Sequence, residues 1–161
     1  MNKNFMYGLA RVRKGDKTIG YIEKGSWDWG GTKSEPADVF AEQVPNDPVL
    51  TLISKAGTIS PTFNLIQLNY EAFHDMVGGT LVGTEGKYTG WKAPTETVLI
   101  NDKWEIDLLS GQTVTIHNGT ILANLGGKLT VSEVSKLECQ LKINAPSDGS
   151  APYEINDTVE S

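Results

Sequence analysis

The clearest order in the chain is a strict alternation near its C-terminal end. Leu137, Cys139, Leu141 and Ile143 interleave with Glu138, Gln140 and Lys142. A period of two puts the first set on one face of a strand and the second on the other. The pattern therefore predicts a strand over 137–143, with Cys139 buried as a small apolar residue. A second alternating cluster runs from Glu96 to Leu125. It predicts strands at 96–101, 103–109 and 112–117, separated by turns at Asn101-Asp102 and Ser110-Gly111. Trp104, Ile106 and Leu108 share one face; Glu105 and Asp107 share the other. The apolar parity then changes across Asn118-Gly119, from Val114 and Ile116 to Ile121, Ala123 and Leu125. One extra residue flips every later side chain, so this dipeptide marks either a hairpin turn or a bulge. A bulge or sharp bend in one long strand is the preferred reading. Earlier strands are expected at 5–13, 18–24, 49–55 and 59–68, with turns at Lys14-Gly15-Asp16 and Ala56-Gly57.

One segment carries a helical period. Tyr70, Phe73 and Val77 fall at i, i+3 and i+7, Asn69 precedes them as an N-cap, and Gly78 offers the left-handed stop. This predicts a helix over about 70–77. A further helical turn is expected near Ser132. Two segments show neither period. Residues 25–48 hold three of the seven prolines and three glycines, and read as a long loop. Its Trp27, Trp29, Val39 and Phe40 need something to bury against, which argues against plain disorder. The stretch 145–161 has two prolines, no basic residue and few apolar ones, and reads as a mobile acidic tail. The pattern as a whole predicts one mainly β domain over 1–144 with a single helix.

Composition narrows the function classes. With 161 residues, 39% of them hydrophobic, the chain is long enough to bury a core. Its net charge of -6 argues against a dedicated phosphate-backbone binder. That charge is unevenly placed: residues 26–48 hold five acids and one base, and 145–161 hold four acids and no base. The body is therefore slightly basic, without a basic cluster. Uninterrupted apolar runs reach only three residues, as at Val98–Ile100, so neither a membrane-spanning helix nor the apolar stretch of a signal peptide is expected. A lone cysteine leaves no internal disulfide and no multi-cysteine metal site.

Chemistry-bearing motifs are scarce. GxSxG, HExxH and CxxC are all missing from the sequence. Gly86-Lys87 has the look of a phosphate loop, but Tyr88 follows where Ser or Thr is needed. His74 and Asp75 are adjacent on the expected helix and do not share a face. His117 lies beside the Asn118-Gly119 turn signal without a patterned nucleophile. Glu105 and Asp107, two apart on a strand, would lie roughly 7 Å from each other. Such a pair could serve a glycosidase, but alternating polar residues are what any half-exposed strand shows. The sequence thus predicts no enzyme and no cofactor or metal. Trp27, Trp29 and Trp91 lie in or near expected loops, where tryptophan either anchors an interface or folds back over an open end of the core.

The order of these features resembles a known family. Strands and a long acidic Pro/Gly loop are followed by PVLTLISKAG, then an alternating strand, a helix ending in EAFHDMVGG, and the run KWEIDLLSGQTVTIHNGTILANLGGKLTVSEVSKLECQLKINAP. Over roughly residues 18–145 this is similar to the major tail tube proteins of long-tailed bacteriophages, which are related to type VI secretion tube proteins. The resemblance implies a β-sandwich or distorted barrel with one flanking helix, and subunits forming hexameric rings that stack into a tube through which DNA passes. It implies self-association, with tape measure and tail completion or baseplate proteins as further partners, in a virion tail assembled in the host cytoplasm. The loop 25–48, with Trp27, Trp29, Val39 and Phe40, would reach a neighbouring subunit or ring. Glu105 and Asp107 would be candidates for a lumen wall that does not grip phosphate. The alternative reading is a carbohydrate-binding or adhesin-type β-sandwich module using the loop tryptophans.

Overall fold

In the computed structural model, residues 4–158 are described. The fold is mainly β with one helix, as the alternation predicts. In chain order the elements are β1 (Leu9–Lys14), β2 (Lys17–Thr18), β3 (Glu35–Val39), β4 (Leu50–Lys55), β5 (Thr62–Leu65), α1 (Tyr70–Val77), β6 (Thr80–Thr84), β7 (Lys87–Lys92), β8 (Ile100–Leu108), β9 (Gln112–Gly126), β10 (Lys136–Ile143) and β11 (Tyr153–Asp157).

One antiparallel sheet organises the molecule, in the order β2-β1-β8-β9-β10-β5, with β11 also paired to β9. Its inner face carries the core. Val12, Phe63, Leu65, Trp104, Ile106, Ile116, Leu137 and Leu141 are all essentially inaccessible there. The sheet bends around these residues without closing into a barrel. After the β1–β2 hairpin the chain leaves β1 at Gly20 and joins β5 on the opposite edge. Ile22 bridges Leu65, and the Glu23 amide donates to the Asn64 carbonyl at 2.8 Å.

The long strand β9 makes the bend possible. Asp102 pairs with Gly119 and Trp104 with Ile116, so His117 and Asn118 together face the single residue Lys103. This is the extra residue that the change of apolar parity requires. It lets Val114 and Ile116 share the core with Ile121. The same register makes 100–108 one strand, β8, rather than the two expected strands divided at Asn101-Asp102. Pairing across the β9 bulge supplies hydrogen bonds that a turn would have lost.

Helix α1 lies against the core through Ala72 and Met76, with Phe73 and Val77 half-buried. The buried stripe is therefore rotated from the one expected: Tyr70 is 44% exposed. The Asn69 side chain accepts from the Ala72 amide at 2.8 Å, and Gly78 ends the helix at φ 91°. The β6–β7 hairpin packs beside it. Trp91 stacks on Phe73 with ring centroids 4.9 Å apart and donates its indole N–H to the Gly78 carbonyl at 2.7 Å. Gly86 sits in the turn of this hairpin and Lys87 begins β7.

Three further expectations change. The strand expected at 18–24 keeps only Lys17–Thr18 as a ladder element, because Gly20 at φ 116° carries the chain off to β5. No helical turn forms near Ser132; the segment bends back into β10. The stretch 145–161, read as an irregular tail, contributes β11, which pairs with β9 from Tyr153↔Ile116 to Asp157↔Gln112. Edge pairing needs only backbone groups, so the polar composition of this strand gave no sign of it.

Candidate functional site

Two features of the fold have no packing explanation within the chain: a projecting ribbon, and a gap in the sheet at its root. The ribbon occupies most of the expected loop 25–48 and continues through β4. Asp28 and Thr62 exchange both backbone hydrogen bonds, at 2.9 and 2.8 Å, and the Thr32 amide donates to the Thr58 carbonyl at 2.7 Å. Beyond this root, β3 and β4 pair from Glu35↔Lys55 to Val39↔Leu50. The segment is thus a two-stranded arm rather than an irregular loop. Its ends are matched by alternating positions, which the prolines and glycines of 25–48 obscured.

The arm is exposed along its length. Every residue of β4 is exposed, including Leu50 at 52%, Leu52 at 52% and Ile53 at 69%. Ala37 with Leu52 and Val39 with Leu50 share one face, and Phe40 at the tip is 60% exposed. An isolated two-stranded ribbon is marginal in water, and contiguous exposed apolar residues of this kind mark interaction surfaces.

Trp27 and Trp29 sit at the arm's root, half-buried against the core. Trp27 lies face to face with Phe63, centroids 5.3 Å apart, and edge-on to Trp29 at the same separation. Of the four residues singled out in this segment, Val39 and Phe40 are on the exterior, whereas the two indoles cap the inner face of the sheet.

Between β1 and the segment 20–25 the sheet stays open. This seam is a cavity of about 590 Å³ lined by Tyr7, Leu9, Arg11, Tyr21, Lys24 and Trp27, among others. Among the described residues β1 pairs with β2 through Arg13 and Lys14, so Leu9–Arg11 presents an edge to it without a ladder partner among them. The Trp27 indole nitrogen is buried without a hydrogen-bond partner.

Glu105 and Asp107 lie on the outer face of the sheet, as the alternation requires. They do not form a bare acidic patch there. Arg11 on β1 faces Asp107, and Arg13 faces Glu105. Arg11 Nε donates to Asp107 Oδ2 at 2.5 Å, and Arg13 Nη2 donates to Glu105 Oε2 at 2.5 Å and to Asp107 Oδ1 at 3.1 Å. Thr113 donates to Asp107 Oδ1 at 2.8 Å. Asp107 is consequently only 4% exposed. Burial pushes its carboxyl pKa up, but hydrogen bonds from Arg11, Thr113 and Arg13 outweigh burial and hold it below its ordinary value. The two arginines were not singled out from sequence. The register that brings them opposite the carboxylates depends on β1 pairing with β8, some 95 residues away along the chain.

Cys139 is buried, and desolvation pushes its thiol up to about 12, which leaves it without nucleophilic character. His74 meets the Gly79 carbonyl, and His117 meets Glu154 on β11 at 2.9 Å. Among the described residues no helix is long and apolar enough to cross a membrane. Compared with known protein families and with curated protein sequences, the chain matches none.

Proposed function

We propose that this chain is a structural subunit that assembles with its own copies into stacked rings around a channel, in the manner of a phage tail tube protein. The observation that carries the reading is the arm: a ribbon whose apolar face has no partner among the described residues. Burying that face needs another molecule, and a second copy is always at hand. A contact between an arm and a different patch on the next copy is head-to-tail, does not close on itself, and grows a tube. Rings of six, a virion tail location, assembly in the host cytoplasm, and tape measure and baseplate partners are the forms this role takes in the family that the sequence resembles.

The outer sheet face presents paired rather than bare carboxylates. Arg11, Arg13 and Lys103 meet Glu105 and Asp107, and one cation in excess is too few for a counterion-releasing grip on phosphate while no acidic patch repels it. The carbohydrate-binding alternative asks for tryptophan faces open to solvent, and Trp27 and Trp29 spend theirs on Phe63 and on each other.

Replacing residues 36–54 with a short Gly-Ser linker tests the reading. The cut spares Trp27, Trp29 and the paired root. Light scattering on the intact chain is expected to give assemblies whose mass grows with concentration. The shortened chain should melt at nearly the same temperature but stop at single rings or single chains. Equal mass distributions for the two would overturn the proposal.

A further inference from the structure

We infer that the seam between β1 and residues 20–25 is the receptor for the tip of the β3–β4 arm of a second copy. The inference rests on the self-assembly reading and names the surface it uses.

Three observations converge on the seam. It is an open cavity at the point where the sheet fails to close, bordered by the edge of Leu9–Arg11 that has no ladder partner among the described residues. Its lining is aromatic and apolar around Tyr7, Leu9, Tyr21 and Trp27, and Tyr21 is 73% exposed. Of its charged residues Arg11 is held by Asp107, and Lys24 remains as a cation with no ion-pair partner among the described residues. Glu23 is itself engaged by Lys136 and Asn64.

The arm tip has the complementary character. Residues 36–54 carry Asp38, Glu42 and Asp47 and no base. Val39, Phe40, Val44 and Val49 are all exposed among them. Pro45 and Pro48 lack a backbone donor, so the tip does not enter as a full ladder strand. It enters as apolar side chains in the cavity, with a carboxylate toward Lys24.

The geometry selects a second copy as the source. The ribbon is tied at Asp28 and Thr32 and laddered from Glu35 to Val39, and β3 alone carries the tip about 16 Å beyond the root at the strand rise. The seam lies at that root, beside Trp27 and Trp29. An arm extended from one end of its own seam therefore presents its tip to the seam of another molecule. Donor and receptor are different patches, so the contact propagates.

Photo-crosslinking tests the assignment. A benzoylphenylalanine placed at Phe40 in unlabelled protein is mixed with isotope-labelled intact chains, irradiated, and mapped by mass spectrometry. Cross-links from the probe to residues 6–11 or 20–25 of labelled chains are expected. Lys24→Glu in the labelled chain should cut their yield at least fivefold without moving its melting temperature. Adding Glu42→Lys to the probe chain should restore most of the yield. Cross-links concentrated elsewhere, or none in samples that assemble, would overturn the seam as receptor while leaving a tube intact. Seam cross-links from solid filaments without a channel would uphold the pairing and overturn the tube.

Discussion

Gly119 is where the bend of β9 meets the largest core side chain, and its replacement by alanine puts the packing argument to a quantitative test. Gly119 is not in the left-handed region, so alanine is sterically permitted by the backbone. The cost is contact. A Cβ there would lie 2.6 Å from Trp104 Cδ1 and 3.0 Å from Leu141 Cδ1. Carbon atoms in good contact sit about 3.5–4.0 Å apart, so the overlap is about 1 Å. Trp104 cannot swing away freely: it is wholly buried, and its indole N–H donates to the Gly119 carbonyl at 3.2 Å. Overpacking of this kind costs about 1–3 kcal/mol, and the entropy that alanine removes from the unfolded chain returns about 0.4–1 kcal/mol. The net loss of about 1–2 kcal/mol corresponds to a fall in Tm of roughly 3–8 °C for a chain of this size. Thermal melts followed by far-UV circular dichroism measure it, with Gly31→Ala as control. Gly31 also avoids the left-handed region, and its added Cβ meets nothing closer than the Thr58 carbonyl oxygen at 3.9 Å. A Gly119→Ala protein melting at or above Gly31→Ala would refute the argument that Trp104 packs directly under the bulge.

Other expectations follow from the same structure. Asp107→Asn should destabilise by about 1.5–3 kcal/mol at neutral pH, because the amide keeps one acceptor oxygen but loses the charge and turns an NH2 donor toward Arg11 or Arg13. The Asp107 carboxyl is held below its ordinary 3.8 in the folded state, so its contribution is complete above that value and disappears as pH falls through the lowered one. Urea titrations of both proteins should therefore converge in acid; a constant gap down to the acid transition would contradict the ion-pair account. Cys139 should resist a water-soluble disulfide reagent in the native protein and react within minutes in denaturant, since its thiol is both buried and pushed up to about 12; rapid native labelling would place it elsewhere. Trp91→Phe should cost about 1 kcal/mol, keeping the stack on Phe73 but losing the 2.7 Å bond to the Gly78 carbonyl; a urea midpoint unchanged from the parent would mean that this bond adds nothing.

The sheet was legible wherever one face of a strand is buried. Alternation at 137–143 located β10, and the parity change at Asn118-Gly119 located the bulge of β9, because a core that accepts only one face records register in the sequence. Elements held by backbone pairing alone were not legible. Strand β11 is exposed at every residue, and β3 lies among prolines and glycines, so neither left a hydrophobic period. The carboxylates of β8 were visible as an outward face, but their partners Arg11 and Arg13 were not, since the pairing of β1 with β8 is a long-range choice. Trp27 and Trp29 illustrate the converse. Their loop-like neighbourhood left two readings open, an interface anchor or a fold-back over the open end of the core, and the apolar area of the indoles is met by the core. The seam arises where Gly20 diverts the chain from β1 to β5, a topological event with no local signature beyond one glycine.

Negative-stain electron microscopy of the intact, concentrated protein bears most directly on the proposed role. Rings with an open centre, stacking into tubes of uniform width as concentration rises, are the expected result. Isolated particles of a single 17.5 kDa chain at every concentration, or solid filaments without a channel, would contradict it.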